Sequence, residues 1–292
     1  MEKKESKRTM HRFVTRKPVL ASVLLSLLGV IFIPAGPLLF KAPLAAAGSL
    51  AAFDWIFGLV GLFVVTGIFL LLYKKWFSPE FSGMLNGNLS EGFFLLLPFA
   101  AYWAITLIYT FIFKRDTLAF HMSGNIIETS VTAGVMEEFC FRGLLITTLL
   151  RQWRKKDKFL QAAIISGVAF GLIHALNAAS GANPLRTLFQ VFDAGFLGVF
   201  LAANYMRCGS LLPVMVAHAL HDIVAIGMAS DVAENGIITG SISFDCIVDF
   251  ILSLGLCGAG IYMLRSDKLK EIRQVWDEKW KNVEHEEPSL KA

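Results

Sequence analysis

Charge is scarce in this chain: only 17% of its 292 residues are Asp, Glu, Lys or Arg, while 55% are apolar. So low a charged fraction excludes a soluble globular protein and a disordered one, and leaves an integral membrane protein. Cysteine is scarce as well. Cys140, Cys208, Cys246 and Cys257 show no CxxC spacing and fall in or beside apolar runs, which excludes a disulfide framework or structural zinc site and makes them small hydrophobes. Low-complexity linkers are lacking, and no polar stretch is long enough for a soluble domain. The largest are the two tails and residues 76–91. Nothing resembles a DNA or RNA reader, so nucleic acid is not an expected partner.

Long apolar runs are what the chain has in abundance. A spanning helix needs about 20 mostly apolar residues, and eight segments qualify: 18–40, 52–73, 92–113, 123–150, 159–179, 185–206, 211–229 and 244–265. The expected fold is all-α, a multi-pass transmembrane bundle of about eight helices over residues 18–265. A basic tail, 1–17, precedes it and a charged tail, 266–292, follows. Of the 27 Lys and Arg residues, 22 lie in residues 1–17 and 265–292, the 74–75 turn, the 151–158 loop and at Arg207, whereas Lys41, Lys114, Arg115 and Arg186 occupy the opposite loops. An even helix count with this bias puts both tails in the cytoplasm, against the anionic lipid of the cell membrane. The net charge of +4 reflects this rule. The first apolar run exceeds a signal-peptide core and is expected to be retained despite Ala45-Ala46-Ala47. In the C-terminal tail, Trp276 and Trp280 stand i, i+4 among alternating acids and bases. That pattern fits an amphipathic helix on the membrane surface and, equally, a solvated tail.

The fourth apolar segment contains Met136-Glu137-Glu138-Phe139-Cys140-Phe141-Arg142-Gly143. Ionisable groups in hydrocarbon are costly and mark function. On a helix Glu138 and Arg142 share a face at i, i+4, while Glu137 points about 100° away. Glu138 is thus expected to pair with Arg142 as structural support, and Glu137 to stay free as a general base. Later helices carry Phe170 and His174 at i, i+4, then His218, His221 and Asp222, with His218 and Asp222 again at i, i+4. At about 1.5 Å per residue from the basic helix ends, Glu137, His174 and Asp193 reach similar depth, and His218 and Asp222 fall in the same band. Asp193 and His221 are expected to be structural, and Gly167 with Gly171 to mark close helix packing.

EExxxR at 137–142, FxxxH at 170–174 and HxxxD at 218–222, in this order, resemble the three motifs of the CAAX prenyl protease type II family, also called CPBP or Abi. The resemblance implies an intramembrane endopeptidase fold. Bacterial members of the family include enzymes that process peptides or membrane proteins and others linked to bacteriocin self-immunity. Residue by residue, it implies that Glu137 with His174 activates a water, while His218 and the residue at 222 stabilise the oxyanion. Prenyl-processing relatives often carry Asn where this chain has Asp222. An ionised Asp222 would repel an oxyanion, so either it is protonated or it orients His218 and leaves the donor role to the imidazole.

The expectation is an intramembrane endopeptidase acting on peptide or membrane-protein substrates in the bilayer, without a cofactor and with its catalytic core over 123–229. Glu137, His174, His218 and Asp222 are its candidate catalytic residues, and Glu138, Arg142 and Phe170 their structural support. One alternative gives Glu137, His174 and His218 or His221 to a zinc ion, although no HExxH is present. Another is a non-catalytic bacteriocin-immunity or transport protein, although no inverted repeat is visible.

Overall fold

A computed structural model describes residues 13–46, 53–76, 81–114, 120–228 and 244–280. The basic leader 1–12, Ala47, Arg115 and the end of the charged tail, 281–292, lie outside the described residues. Among the described residues all regular structure is helical. In chain order the helices are α1 (Pro18–Phe32), α2 (Ala35–Ala46), α3 (Asp54–Trp76), α4 (Leu89–Phe94), α5 (Leu97–Phe113) and α6 (Gly124–Glu138). Helix α6 runs on through a wider π-helical stretch, Phe139–Ile146, into α7 (Thr147–Trp153). Then come α8 (Phe159–Ile173), α9 (Leu176–Ala179), α10 (Pro184–Cys208), α11 (Leu212–Met228), α12 (Phe244–Met263) and α13 (Leu269–Lys279).

The chain is an all-α, multi-pass membrane bundle. Six stretches are long and apolar enough to cross a membrane: Pro18–Pro43, Asp54–Lys75, Leu89–Phe113, Phe159–Ala179, Pro184–Cys208 and Phe244–Met263. They coincide with six of the eight expected segments. The other two are shorter or more polar: α11 has 17 residues, and the α6–π–α7 helix carries the acid pair and Arg142. Side chains turned to the outside are those of a lipid-facing surface. On α3 and α5, Leu71 is 68% exposed and Phe111 61%, an arrangement tolerated where the surrounding medium is hydrocarbon.

Helix α10 lies inside the bundle, with α8 on one side and α12 on another. Asn183 caps its N-terminus, its Oδ1 accepting the N–H groups of Leu185 and Arg186, and Pro184 fills the first turn, where no N–H is needed. Gly167 and Gly171 allow α8 to approach α10 closely. A Cβ at Gly171 would lie 2.4 Å from the Val191 carbonyl oxygen, and one at Gly167 2.7 Å from that of Gly195.

The C-terminal helix α13 is amphipathic, and its apolar side is turned to the protein rather than to lipid or water. Ile272, Trp276 and Trp280 are buried. Trp276 Nε1 donates to the Met206 carbonyl at 3.0 Å. Arg154 pairs with Asp277 at 2.8 Å, and Arg273 pairs with Asp157. Lys279 reaches inward to donate to the carbonyls of Gly83 and Asn86. Burial holds its ammonium well below the ordinary lysine range, at about 8.

Candidate active site

The acid pair ends α6, and the helix widens immediately after it. A π-helical turn holds more residues than an α-turn, which redirects the side chains beyond it. Its backbone is braced from two neighbouring helices. Ser26 Oγ on α1 donates to the Cys140 carbonyl at 2.8 Å, and Ser166 Oγ on α8 to the Phe141 carbonyl at 2.9 Å. The widened stretch is buried throughout, from Phe139 to Ile146.

Arg142 Nη1 donates to Glu138 Oε1 at 2.9 Å, the i, i+4 pair expected from spacing, and both side chains are fully buried. Arg142 Nη2 continues to the Gly198 carbonyl on α10 at 3.3 Å. Its guanidinium carbon also lies 4.4 Å from the centroid of the Phe170 ring, a cation–π contact that low dielectric strengthens. The same Glu138 oxygen has a second partner, which the sequence reading did not foresee: His218 Nδ1, at 2.8 Å. A carboxylate oxygen accepts, so the Nδ1 proton is assigned by its partner and the ring orientation is fixed. With Nδ1 engaged, Nε2 faces the other two acids, 3.7 Å from Glu137 Oε2 and 3.7 Å from Asp222 Oδ2. Close packing makes this reach possible. A Cβ at Gly134 on α6 would lie 2.7 Å from the Ala219 backbone nitrogen on α11.

Phe170 gathers the remaining groups. The His174 and His218 rings both pack edge-on against it, at centroid distances of 4.9 and 5.7 Å, and Phe141 does the same at 5.4 Å. His174 caps the end of α8, where its Nδ1 bonds to the Phe170 carbonyl at 2.9 Å, so its Nε2 is left as an acceptor. The side chains of Glu137 and Asp222 are 18% and 22% exposed, whereas Glu138 is sealed. The two acids on the Nε2 side of His218 are therefore less enclosed than the one on the Nδ1 side.

Two other polar residues, both expected to be structural, lie elsewhere. Asp193 accepts from Ser253 Oγ at 2.9 Å on the α10–α12 side. His221 sits among the rings of Phe99, Tyr102 and Trp103, at 5.5, 6.2 and 5.1 Å. Depth put Asp193 in the layer of Glu137, but its azimuth directs it to Ser253. Among the described residues no group of three His, Cys, Asp or Glu side chains is arranged to hold a metal ion.

These features define a polytopic membrane protein with carboxylates, an arginine and two histidines gathered between four helices. Residues 121–224, about a third of the chain, match the family model described as Type II CAAX prenyl endopeptidase Rce1-like. That stretch contains all three motifs and every residue just placed around Phe170, apart from the braces of α1, and the family's description is that of an endopeptidase. No curated protein and no solved structure matches the chain.

Proposed function

We propose that the protein is an intramembrane endopeptidase that hydrolyses peptide bonds of peptide or membrane-protein substrates, with both tails cytoplasmic. Glu137 takes a proton from a water held by the His174 Nε2 lone pair, and the resulting hydroxide attacks the amide carbonyl carbon. The developing oxyanion is met by Nε2–H of His218 in its doubly protonated form, whose Nδ1–H is held by Glu138. The proton on Glu137 passes to the amide nitrogen as the C–N bond breaks, giving a carboxylic acid and an amine. Glu138 and Arg142 maintain the ring orientation, and Phe170 spaces the two imidazoles.

The observation that carries this reading is the partition of His218. One nitrogen is bound to a sealed, arginine-paired acid, and the other faces the partly open Glu137 and Asp222 at 3.7 Å each. A separation of that size is bridged by a water or a substrate oxygen rather than by a direct hydrogen bond. A purely structural cluster has no need to leave one of its acids accessible. The test is cleavage of a fluorogenic peptide or membrane-protein substrate by purified wild type beside Glu137→Gln. Turnover is expected to disappear in the variant with the thermal melting point unchanged; undiminished turnover overturns the reading. Metal analysis of the active preparation, with chelator treatment, checks the metal-free assignment.

A further inference from the structure

A peptidase acting within the bilayer must hold its substrate extended at the bond it cuts, and an unwound segment there exposes N–H and C=O groups that water does not satisfy. The protein must offer spare donors and acceptors beside the reacting groups. One uncharged pair follows His174 in the chain. Asn177 lies three residues after His174, past the turn that ends α8, on the short helix α9. The Asn177 backbone N–H donates to the His174 carbonyl at 3.0 Å. Its side-chain Nδ2 donates to Gln190 Oε1 on α10, also at 3.0 Å.

One hydrogen bond between two amides leaves capacity on both. Asn177 Oδ1 can still accept, Gln190 Nε2 can still donate, and among the described residues neither has another partner. Both residues are half-buried, so neither amide is sealed in the core. A free acceptor beside a free donor complements the N–H and C=O of extended polypeptide, as a neighbouring strand would.

We propose that Asn177 and Gln190 form a backbone clamp for the substrate: Asn177 Oδ1 accepts an N–H and Gln190 Nε2 donates to a C=O of the extended segment next to the scissile bond. The clamp rests on the proteolytic reading of the site. It recognises polypeptide backbone irrespective of side chains, and it acts by positioning, since neither amide touches the reacting atoms.

The test measures binding apart from turnover. Fluorescein-labelled apolar peptides bind the detergent-solubilised Glu137→Gln protein and are read by anisotropy, both as amides and as ester analogues that replace one backbone N–H by oxygen at successive positions. One ester position should weaken binding by about five- to tenfold, the worth of one hydrogen bond. Asn177→Ala should weaken the all-amide peptide by the same factor, and in that variant the ester should cost nothing further. Asn177→Leu, which fills the same space without an acceptor, should repeat both results. A merely structural Asn177 would leave the full ester penalty in either variant. Additive losses, or full binding by Asn177→Ala, overturn the clamp. If Asn177→Ala fails to fold, the same measurements on Asn177→Leu decide. Coupling without any wild-type cleavage would sink the proteolytic reading and leave the clamp; Glu137-dependent cleavage without coupling would do the reverse.

Discussion

His218 Nδ1 stands 2.8 Å from Glu138 Oε1, the oxygen that also receives Arg142 at 2.9 Å. A single carboxylate oxygen thus joins the EExxxR segment of α6 to the HxxxD segment of α11. Truncating either charged partner strands the other in a sealed interior, so Glu138→Ala should destabilise the protein by about 3–5 kcal/mol. The double variant Glu138→Leu, Arg142→Met removes both charges and should regain most of that stability. It should stay inactive, because the imidazole loses the acceptor that orients it. Thermal melting in detergent alongside peptide cleavage separates the two effects.

Asp222 lies 3.7 Å from His218 Nε2, the nitrogen assigned to the oxyanion. A negative charge there opposes the developing charge, whereas an amide can donate to it. Asp222→Asn should therefore keep or raise kcat, while His218→Ala should lower it by about 10²–10³-fold, as loss of an oxyanion donor does. Steady-state kinetics on one fluorogenic peptide compares the two variants. A large loss in Asp222→Asn would instead make the carboxylate itself the essential group.

The spacing of apolar residues revealed the helices because hydrocarbon demands long apolar runs, and the i, i+4 rule placed Glu138 with Arg142. What spacing could not supply was the neighbour across the bundle. Glu138 and His218 are 80 residues apart in sequence, and nothing local to either names the other. Depth counted along a helix axis put Asp193 in the layer of Glu137, but its azimuth directs it to Ser253. The widened turn at Phe139–Ile146 has no signature in composition either. It depends on hydroxyls from α1 and α8 that bond the backbone there, and Ser26 and Ser166 are unremarkable when read singly. Helix α13 shows the same limit: its amphipathic pattern was legible, but not whether lipid or protein would cover it.

Gly134 sets how near α6 comes to α11 without taking part in any chemistry. A methyl group there would meet the Ala219 nitrogen, Cα and Cβ at 2.7, 2.9 and 2.9 Å. Two of these atoms are backbone, which does not swing aside, so the helices must separate by some tenths of an ångström. His218 sits next to Ala219 and would move with it. Gly134→Ala should lower kcat by about 10–100-fold, since misplacement on the ångström scale is felt strongly at a reacting centre. Binding of the uncleaved peptide should change far less, and kcat measured against KM tests that split.

Lys279 gives a pH dependence located far from the acids. Burial among Phe81, Trp276 and the 83–86 backbone lowers its ammonium to about 8 from the ordinary 10.5. A folded-state value below the unfolded one means that the charged form is penalised by folding. That penalty is present in full below about pH 8, where both states hold the proton. Above it the folded protein releases the proton while the unfolded chain keeps it, so stability rises with pH until the unfolded lysine also titrates near 10.5. Lys279→Met removes this slope along with the bonds to Gly83 and Asn86. Between about pH 7.5 and about pH 9.5, the melting temperature of wild type should therefore rise relative to that of Lys279→Met, the linkage amounting to at most about 1.4 kcal/mol per pH unit. Parallel melting curves for the two proteins would show that Lys279 stays solvated and that α13 docks less tightly than its buried tryptophans indicate.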